Sequence, residues 1–191
     1  MGVGRVAGVQ PSDRPADSPH PPASPSDSLA LSAERLEALM AEALAEARAA
    51  LDHHDVPVGA LVVRTTDGEV VARRHNERER TGDPTAHAEI LALRDAAVTA
   101  GTWRLDDHVL VVTLEPCPMC AGAAWASRLG GIVFGASDAK AGAAGTLYNL
   151  AADPRLNHEI PVVRGVRADA CAEVLAEFFA ARRVVPRRVL R

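Results

Sequence analysis

Two short motifs, with Cys117 thirty positions after His87, constrain this chain more than any other feature of its sequence. Glu89 follows His87 by two positions, and Pro116 precedes Cys117 and Cys120. One imidazole and two thiols are the protein ligands of a catalytic zinc site, in which the fourth tetrahedral position stays open for water. A lone histidine or cysteine pair is commonly a buried structural residue, but the two motifs together favour a metal site. Glu89 is then better placed as a proton shuttle than as a fourth ligand.

Both motifs are expected at the start of a helix. Asp83-Pro84 is typical of an N-cap followed by the first helical residue, which predicts a helix over residues 85–100. Glu115-Pro116 predicts a second helix start in the same way, so that Cys117 and Cys120 share one helix face. The positive ends of two helix dipoles would favour thiolates, the form in which cysteine binds a metal.

Hydrophobic periodicity predicts a single α/β domain around these two helices. Strands that alternate with helices after an initial hairpin indicate a mixed sheet that is covered on both faces. The remaining predicted elements are a helix capped by Ser32 and running to about Leu51, strands at 59–64, 70–75, 109–114, 132–135 and about 161–164, and a closing helix at 168–183.

Composition narrows the class of protein. A hydrophobic content of 48% is enough for a core, and the net charge of −4 argues against a broadly cationic nucleic-acid binder. Five arginines lie within residues 182–191 and could bind RNA, although basic residues are also common at helix C-termini, where they interact favourably with the helix dipole. Three cysteines, two of them in the motif, favour a reducing cytoplasm over a disulfide scaffold. No segment approaches the ~18 apolar residues of a membrane span.

Residues 1–28 differ from the rest of the chain. They are rich in proline and serine and contain almost no large apolar side chains. Such a segment cannot bury enough surface to offset the entropy lost on folding. We therefore expect residues 1–28 to be a disordered extension and residues 29–191 to form the folded domain.

The combined H-x-E and P-C-x-x-C pattern is the signature of zinc-dependent nucleobase deaminases. From about residue 36 to 183 the chain resembles the bacterial tRNA-specific adenosine deaminases, which belong to the cytidine and deoxycytidylate deaminase superfamily. The glycine-rich segment at 133–145 and the paired phenylalanines Phe178-Phe179 point more narrowly to the tRNA branch of this superfamily. The segments that carry the resemblance are 56–60 (VPVGA), 83–93 (DPTAHAEILAL), 111–122 (VVTLEPCPMCAG), 133–145 (VFGASDAKAGAAG), Asn157-His158, and Phe178-Phe179 followed by Arg182-Arg183.

The resemblance implies a cytidine deaminase-like fold, a three-layer α/β/α sandwich with a mixed five-stranded sheet. It implies a zinc-dependent hydrolase with one Zn²⁺ per subunit, held by His87, Cys117 and Cys120. The implied reaction is hydrolytic deamination of adenosine to inosine at the wobble position (A34) of tRNA anticodons. Zinc-activated water would attack the base, and Glu89 would carry the protons.

The resemblance also implies partners: a tRNA anticodon stem-loop and a second copy of the chain in a homodimer. The small residues at 121–126 would let another helix approach closely, although burial inside the subunit explains them equally well. One alternative is a deaminase of a free nucleobase or nucleoside (guanine, cytosine or cytidine), which would share the whole zinc site. A non-catalytic zinc-stabilised RNA-binding subunit is a second alternative, but it would not need Glu89.

Four substrate contacts are implied by the resemblance. Asn76 would hydrogen-bond the target nucleoside, and Asp138 would lie beside its ribose, where a carboxylate can accept from the 2′-hydroxyl. Asn157 and His158 would lie near the flanking anticodon nucleotides. Without the resemblance, Asn76 and Asp138 fit ordinary loop and turn caps, and His158 fits a surface histidine.

Overall fold

The computed structural model describes residues 29–184. The expected extension at 1–28 and the arginines at 187, 188 and 191 lie outside the described residues. Within them, no helix has both the length and the apolar character needed to cross a bilayer.

Five strands form one mixed sheet in the order β2-β1-β3-β4-β5. Strand β1 is antiparallel to both β2 and β3, whereas β3, β4 and β5 are parallel to one another. The prediction of a mixed five-stranded sheet is confirmed, and both hairpin strands have the predicted bounds. The strands are β1 (Gly59–Arg64), β2 (Val70–His75), β3 (His108–Leu114), β4 (Gly131–Ala136) and β5 (Val162–Arg164).

Helices cover both faces of the sheet. Helices α1 and α5 pack on one face, and α3 packs on the other, where it also contacts α4. The side chain of Ser32 accepts from the backbone N–H of Arg35 at 3.2 Å, which confirms the predicted cap of the first helix. The helices are α1 (Ala33–Ala49), followed by a 3₁₀ turn (Ala50–His53), α2 (Arg78–Thr81), α3 (Ala88–Ala100), α4 (Pro118–Ala126) and α5 (Ala168–Val184).

Strand β3 contributes side chains to the hydrophobic clusters on both faces of the sheet. Val109 and Val111 belong to the hydrophobic cluster under α1 and α5, and Leu110 and Val112 belong to the cluster under α3 and α4. Successive side chains of a strand point to opposite faces, so a strand buried on both faces consists of a continuous apolar run. This is the three-layer α/β/α sandwich that the resemblance implied.

The predicted starts of both motif helices are wrong by a few residues. The Asp83 carboxylate accepts from the backbone N–H and the hydroxyl of Thr85, both at 2.7 Å, and so closes a turn. Helix α3 begins only at Ala88. Helix α4 begins at Pro118, with Cys117 in the N-cap position that was predicted for Glu115.

The strand directions bring three chain segments to one edge of the sheet. Because β2 and β3 are both antiparallel to β1, they are parallel to each other, and β4 runs in the same direction. The carboxyl ends of β2, β3 and β4 therefore meet at one edge, the usual place for a site in an α/β sheet. Asn76 directly follows β2, Glu115 follows β3, and Ser137-Asp138 follows β4.

Candidate metal centre

Three side chains that could hold a metal ion lie close together at the helix starts above this edge. His87 and Cys117 occupy the N-cap positions of α3 and α4, and Cys120 lies in the first turn of α4. The two sulfurs are 3.6 Å apart, and His87 Nδ1 is 3.8 Å from Cys117 Sγ and 3.5 Å from Cys120 Sγ. Within residues 29–184 this is the one group of three such residues whose ligand atoms all lie within 4.8 Å of one another.

The spacing of these atoms suits a zinc ion. Zinc binds sulfur at about 2.3 Å and nitrogen at about 2.0–2.1 Å, so a tetrahedral site places two sulfurs about 3.8 Å apart and nitrogen about 3.5 Å from sulfur. The distances between the three donor atoms agree with these values to within a few tenths of an ångström. Two sulfurs and one imidazole are also the donors that zinc prefers.

The protonation of the three donors is mutually dependent. The hydrogen bond with Cys117 raises the pKa of His87. The hydrogen bonds from Cys120 and His87 lower the pKa of Cys117 to about 4, and the same contact with Cys117, together with burial, raises the pKa of Cys120. One sulfur is therefore readily deprotonated and its neighbour is not. A divalent cation is the partner that would let both sulfurs be thiolates at once.

Glu89 lies in the first turn of α3 and its carboxyl group is buried at 4% exposure. Burial raises the pKa of Glu89, and the nearby positive charge on His87 only partly offsets this effect. A buried carboxyl with a raised pKa, placed beside a metal site, is suited to accept a proton and return it.

A cavity of about 150 Å³ opens beside these groups. It is smaller than the ~300–1,000 Å³ of sites for drug-sized ligands, so it suits a single small ring. Its wall combines apolar side chains with several polar and charged groups. The lining residues are Val56, Val58, Asn76, Arg78, His87, Glu89, Leu114, Glu115, Cys117, Asp138 and Ala141.

Asn76 lines this cavity and also connects two structural elements. Its Oδ1 atom accepts from the backbone N–H of Ala88 at 2.9 Å, and its Nδ2 atom donates to the carbonyl of Val56 at 3.0 Å. Asn76 therefore caps the start of α3 from outside the helix. An amide nitrogen carries two hydrogens, so one donor remains for a molecule in the cavity.

Asp138 also lines the cavity and is half-buried. Its carboxylate accepts from the backbone N–H of Lys140 at 2.8 Å, and its own backbone N–H donates to Glu115 Oε2 at 3.1 Å. Asp138 therefore does cap a turn, as its position in the sequence indicated. A carboxylate has more acceptor sites than this one hydrogen bond uses.

Asn157 and His158 do not line the cavity. The His158 ring stacks on Trp125, with the ring centroids 4.9 Å apart, and its Nδ1 atom is 2.7 Å from Arg128 Nη1. Asn157 is exposed, with its Oδ1 atom 2.8 Å from the same Nδ1 atom. The structure brings Asn76 and Asp138 to the metal centre and places this second pair at the end of α4.

Two polar residues of the cavity wall were not predicted as part of the site. Arg78 lies on the short helix α2, which the sequence did not predict, and Glu115 was interpreted as a helix cap. The hydrogen-bond partners of the Glu115 carboxylate are 23 to 31 positions away along the chain. Spacing rules for local motifs could not identify a role of that kind.

The chain is similar to known deaminases. A family model, the cytidine and deoxycytidylate deaminase zinc-binding region, matches residues 33–136. The tRNA-specific adenosine deaminase of Bacillus subtilis (strain 168) is 48% identical over 143 residues, which cover 75% of this chain and 88% of that protein. A solved structure from work on A-to-I editing by tRNA:A34 deaminases aligns with a TM-score of 0.66 at 41% identity, covering 70% of this chain and 95% of the other. The guanine deaminase of Nitrosomonas europaea aligns with a TM-score of 0.64 at 28% identity, covering 75% and 84%.

Proposed function

The chain belongs to the cytidine and deoxycytidylate deaminase family, and we propose that it converts adenosine to inosine at position A34 of tRNA anticodons. The reaction adds water at C6 of the base and releases ammonia. One observation carries the proposal: the donor atoms of His87, Cys117 and Cys120 lie within 4.8 Å of one another, beside a small cavity that the buried residue Glu89 also lines. The similarity to deaminases that act on tRNA supports RNA as the substrate.

We assign one zinc ion per subunit to the three donors. When bound, zinc supplies the Lewis acidity that makes water a nucleophile near neutral pH. His87 faces both sulfurs through Nδ1, so Nδ1 is the atom that would hold the metal, and Nε2 would then carry the ring proton. Both cysteines would bind as thiolates, so the metal and its three ligands would carry no net charge.

Glu89 carries the protons in this scheme. Its carboxylate takes one proton from the attacking water and delivers it to the ring nitrogen of adenine. It then takes the proton of the new C6 hydroxyl and delivers it to the amino group, which leaves as ammonia while C6 becomes the carbonyl carbon of inosine. One group can serve both transfers because burial raises the pKa of Glu89 above that of an exposed glutamate, so the carboxyl group can both accept and return a proton.

Asn76 and Asp138 recognise the target nucleoside in this proposal. The free N–H of Asn76 donates to the nucleoside, and the carboxylate of Asp138 accepts from the ribose 2′-hydroxyl, which only RNA possesses. Asn157 and His158 lie outside the cavity, where the nucleotides that flank a flipped base would run.

We further propose that the protein is a cytoplasmic homodimer. A groove of about 500 Å³ runs between α3 and α4, and apolar side chains such as Ile90 and Leu93 form much of its wall. Trp103 is 60% exposed at its margin, and Ala126 on α4 is also exposed. An exposed apolar surface of this kind is typical of a contact with another protein. Light scattering that gave a monomer with full activity on tRNA would contradict the dimer.

One experiment tests the substrate. The purified zinc-loaded protein is incubated with an anticodon stem-loop that carries A34, and separately with guanine, cytosine and cytidine. Inosine in the stem-loop, detected by mass spectrometry, is the expected result. Deamination of guanine with no change to the stem-loop would favour the alternative, a deaminase of free nucleobases or nucleosides. Guanine is included because the cavity is small and the chain is similar to a guanine deaminase.

A further inference from the structure

Glu115 is a buried carboxylate whose hydrogen bonds all go to one loop. It is 2% exposed, lines the cavity and lies two residues before Cys117. Its Oε1 atom accepts from the backbone N–H groups of Ala144 and Thr146 at 3.1 and 3.0 Å. Its Oε2 atom accepts from the backbone N–H of Asp138 at 3.1 Å and from the hydroxyl of Thr146.

The loop that supplies these donors, residues 137–146, folds tightly around the carboxylate. The backbone N–H of Gly142 donates to the carbonyl of Asp138 at 2.9 Å, which closes a turn. A Cβ atom at position 142 would overlap Glu115 Oε2, so only glycine allows the loop to pass this close. The N–H of Ala143 also donates to the carbonyl of Pro116 at 2.8 Å. The loop is therefore attached to the segment that leads into the metal ligand Cys117.

We propose that Glu115 is a positioning residue that holds the loop at 137–146 against the metal centre and so sets the position of Asp138. The contact with the backbone N–H of Asp138 fixes where that residue leaves β4, and its side chain then lies in the cavity wall. The effect on catalysis rests on the proposed function, whereas the attachment of the loop can be measured without any substrate.

The chemistry of the site requires a carboxylate at position 115. All four partners are donors, namely three backbone N–H groups and one hydroxyl, and an ionised carboxylate is an acceptor on both oxygens. Glu115→Gln keeps the volume but turns one oxygen into an NH₂ group. At least one backbone donor then faces another donor, whichever way the amide is oriented.

The test compares Glu115→Gln with Glu173→Gln, an exposed position on α5. In hydrogen exchange, the amides of Asp138, Ala144 and Thr146 should exchange faster in Glu115→Gln only, with the zinc content unchanged. On the A34 stem-loop, kcat/KM should fall about tenfold to a hundredfold, as for the loss of one or two charge-assisted hydrogen bonds. Unchanged exchange in the loop would overturn the proposal, whether or not tRNA proves to be the substrate.

A double-mutant cycle separates positioning from a general loss of stability. If Glu115 acts through Asp138, adding Glu115→Gln to Asp138→Asn should lower kcat/KM little further. Effects that multiply in the double variant would show that Glu115 acts independently, and would overturn this part of the proposal.

Thr146→Val provides a second variant in case Glu115→Gln does not fold. It removes one hydroxyl donor at an exposed position and keeps the shape of the side chain. The loop amides should again exchange faster, by a smaller factor than in Glu115→Gln. Exchange equal to that of the wild type in Thr146→Val would count against the role of the Glu115 carboxylate.

Discussion

The side-chain oxygen of Asn76 accepts a hydrogen bond of 2.9 Å from the backbone N–H of Ala88, the residue after His87. This contact joins the end of β2 to the start of α3 and is buried. It satisfies one of the backbone donors that a helix start leaves free, so a residue twelve positions earlier in the chain serves as its cap. Asn76 therefore holds the backbone directly after His87 in place.

Asn76→Ala is expected to destabilise the protein by about 1–2 kcal/mol, as for the loss of a helix cap, and to weaken zinc retention. Ser32→Ala is the matched control, because Ser32 caps α1 far from the metal centre. It should lower the free energy of unfolding by about 1 kcal/mol without affecting zinc. Urea unfolding and zinc analysis distinguish the two variants. Equal zinc retention in the two variants would show that the Asn76 cap does not contribute to holding His87 at the metal site.

Cys117→Ala is expected to lose most of its zinc, because two remaining donors cannot complete the site. The control is Cys171→Ala, which removes a buried thiol that lies against Gly135 on the other side of the sheet from α4. Elemental analysis of both purified variants gives the zinc content per chain. Full retention in Cys117→Ala would mean that the assigned ligands are wrong.

Glu89→Ala is expected to keep the zinc and the fold and to lose deamination by roughly 10²–10⁴-fold, the usual contribution of a general acid–base group. The carboxyl is not among the three donors that lie within 4.8 Å of one another, so the metal should stay. Single-turnover assays on the A34 stem-loop, with Glu173→Ala as the control, measure the loss. Wild-type activity in Glu89→Ala would exclude the proposed proton transfers.

Asp138→Asn is expected to lower kcat/KM on the RNA stem-loop about tenfold to a hundredfold, because it weakens a charge-assisted hydrogen bond to the 2′-hydroxyl. The amide oxygen can still accept from the backbone N–H of Lys140, so the turn should survive. The preference for RNA over a DNA stem-loop of the same sequence should narrow. An unchanged RNA-to-DNA ratio would leave Asp138 with its turn-capping role alone.

Local patterns predicted several elements well. The hairpin of β1 and β2 has its predicted bounds because its signals are local: a polar five-residue turn at 65–69 lies between two short segments that contain neighbouring valines. Gly101 ends α3 in the left-handed conformation with φ of 66°, where glycine is favoured. The prediction for α3 failed at its other end, since Asp83 and Pro84 fit a turn as well as they fit a helix start.

The sequence by itself determined which residues are candidates for metal binding and proton transfer, because the spacing of His87, Glu89, Cys117 and Cys120 reflects helix geometry within two short segments. It also determined the order and type of the main elements, since these follow from the periodicity of apolar side chains.

Only the tertiary structure decided how the site is held together. The parallel directions of β2, β3 and β4 bring Asn76, Glu115 and Asp138 to one edge, and that arrangement depends on strand pairing across the whole domain. The contacts of Glu115 with the loop after β4 span 23 to 31 positions, so they exist only once the sheet has formed. The stacking of His158 on Trp125 also depends on the tertiary structure, because it requires the loop before β5 to pack against α4. Contacts between distant segments leave no periodic trace in a single sequence.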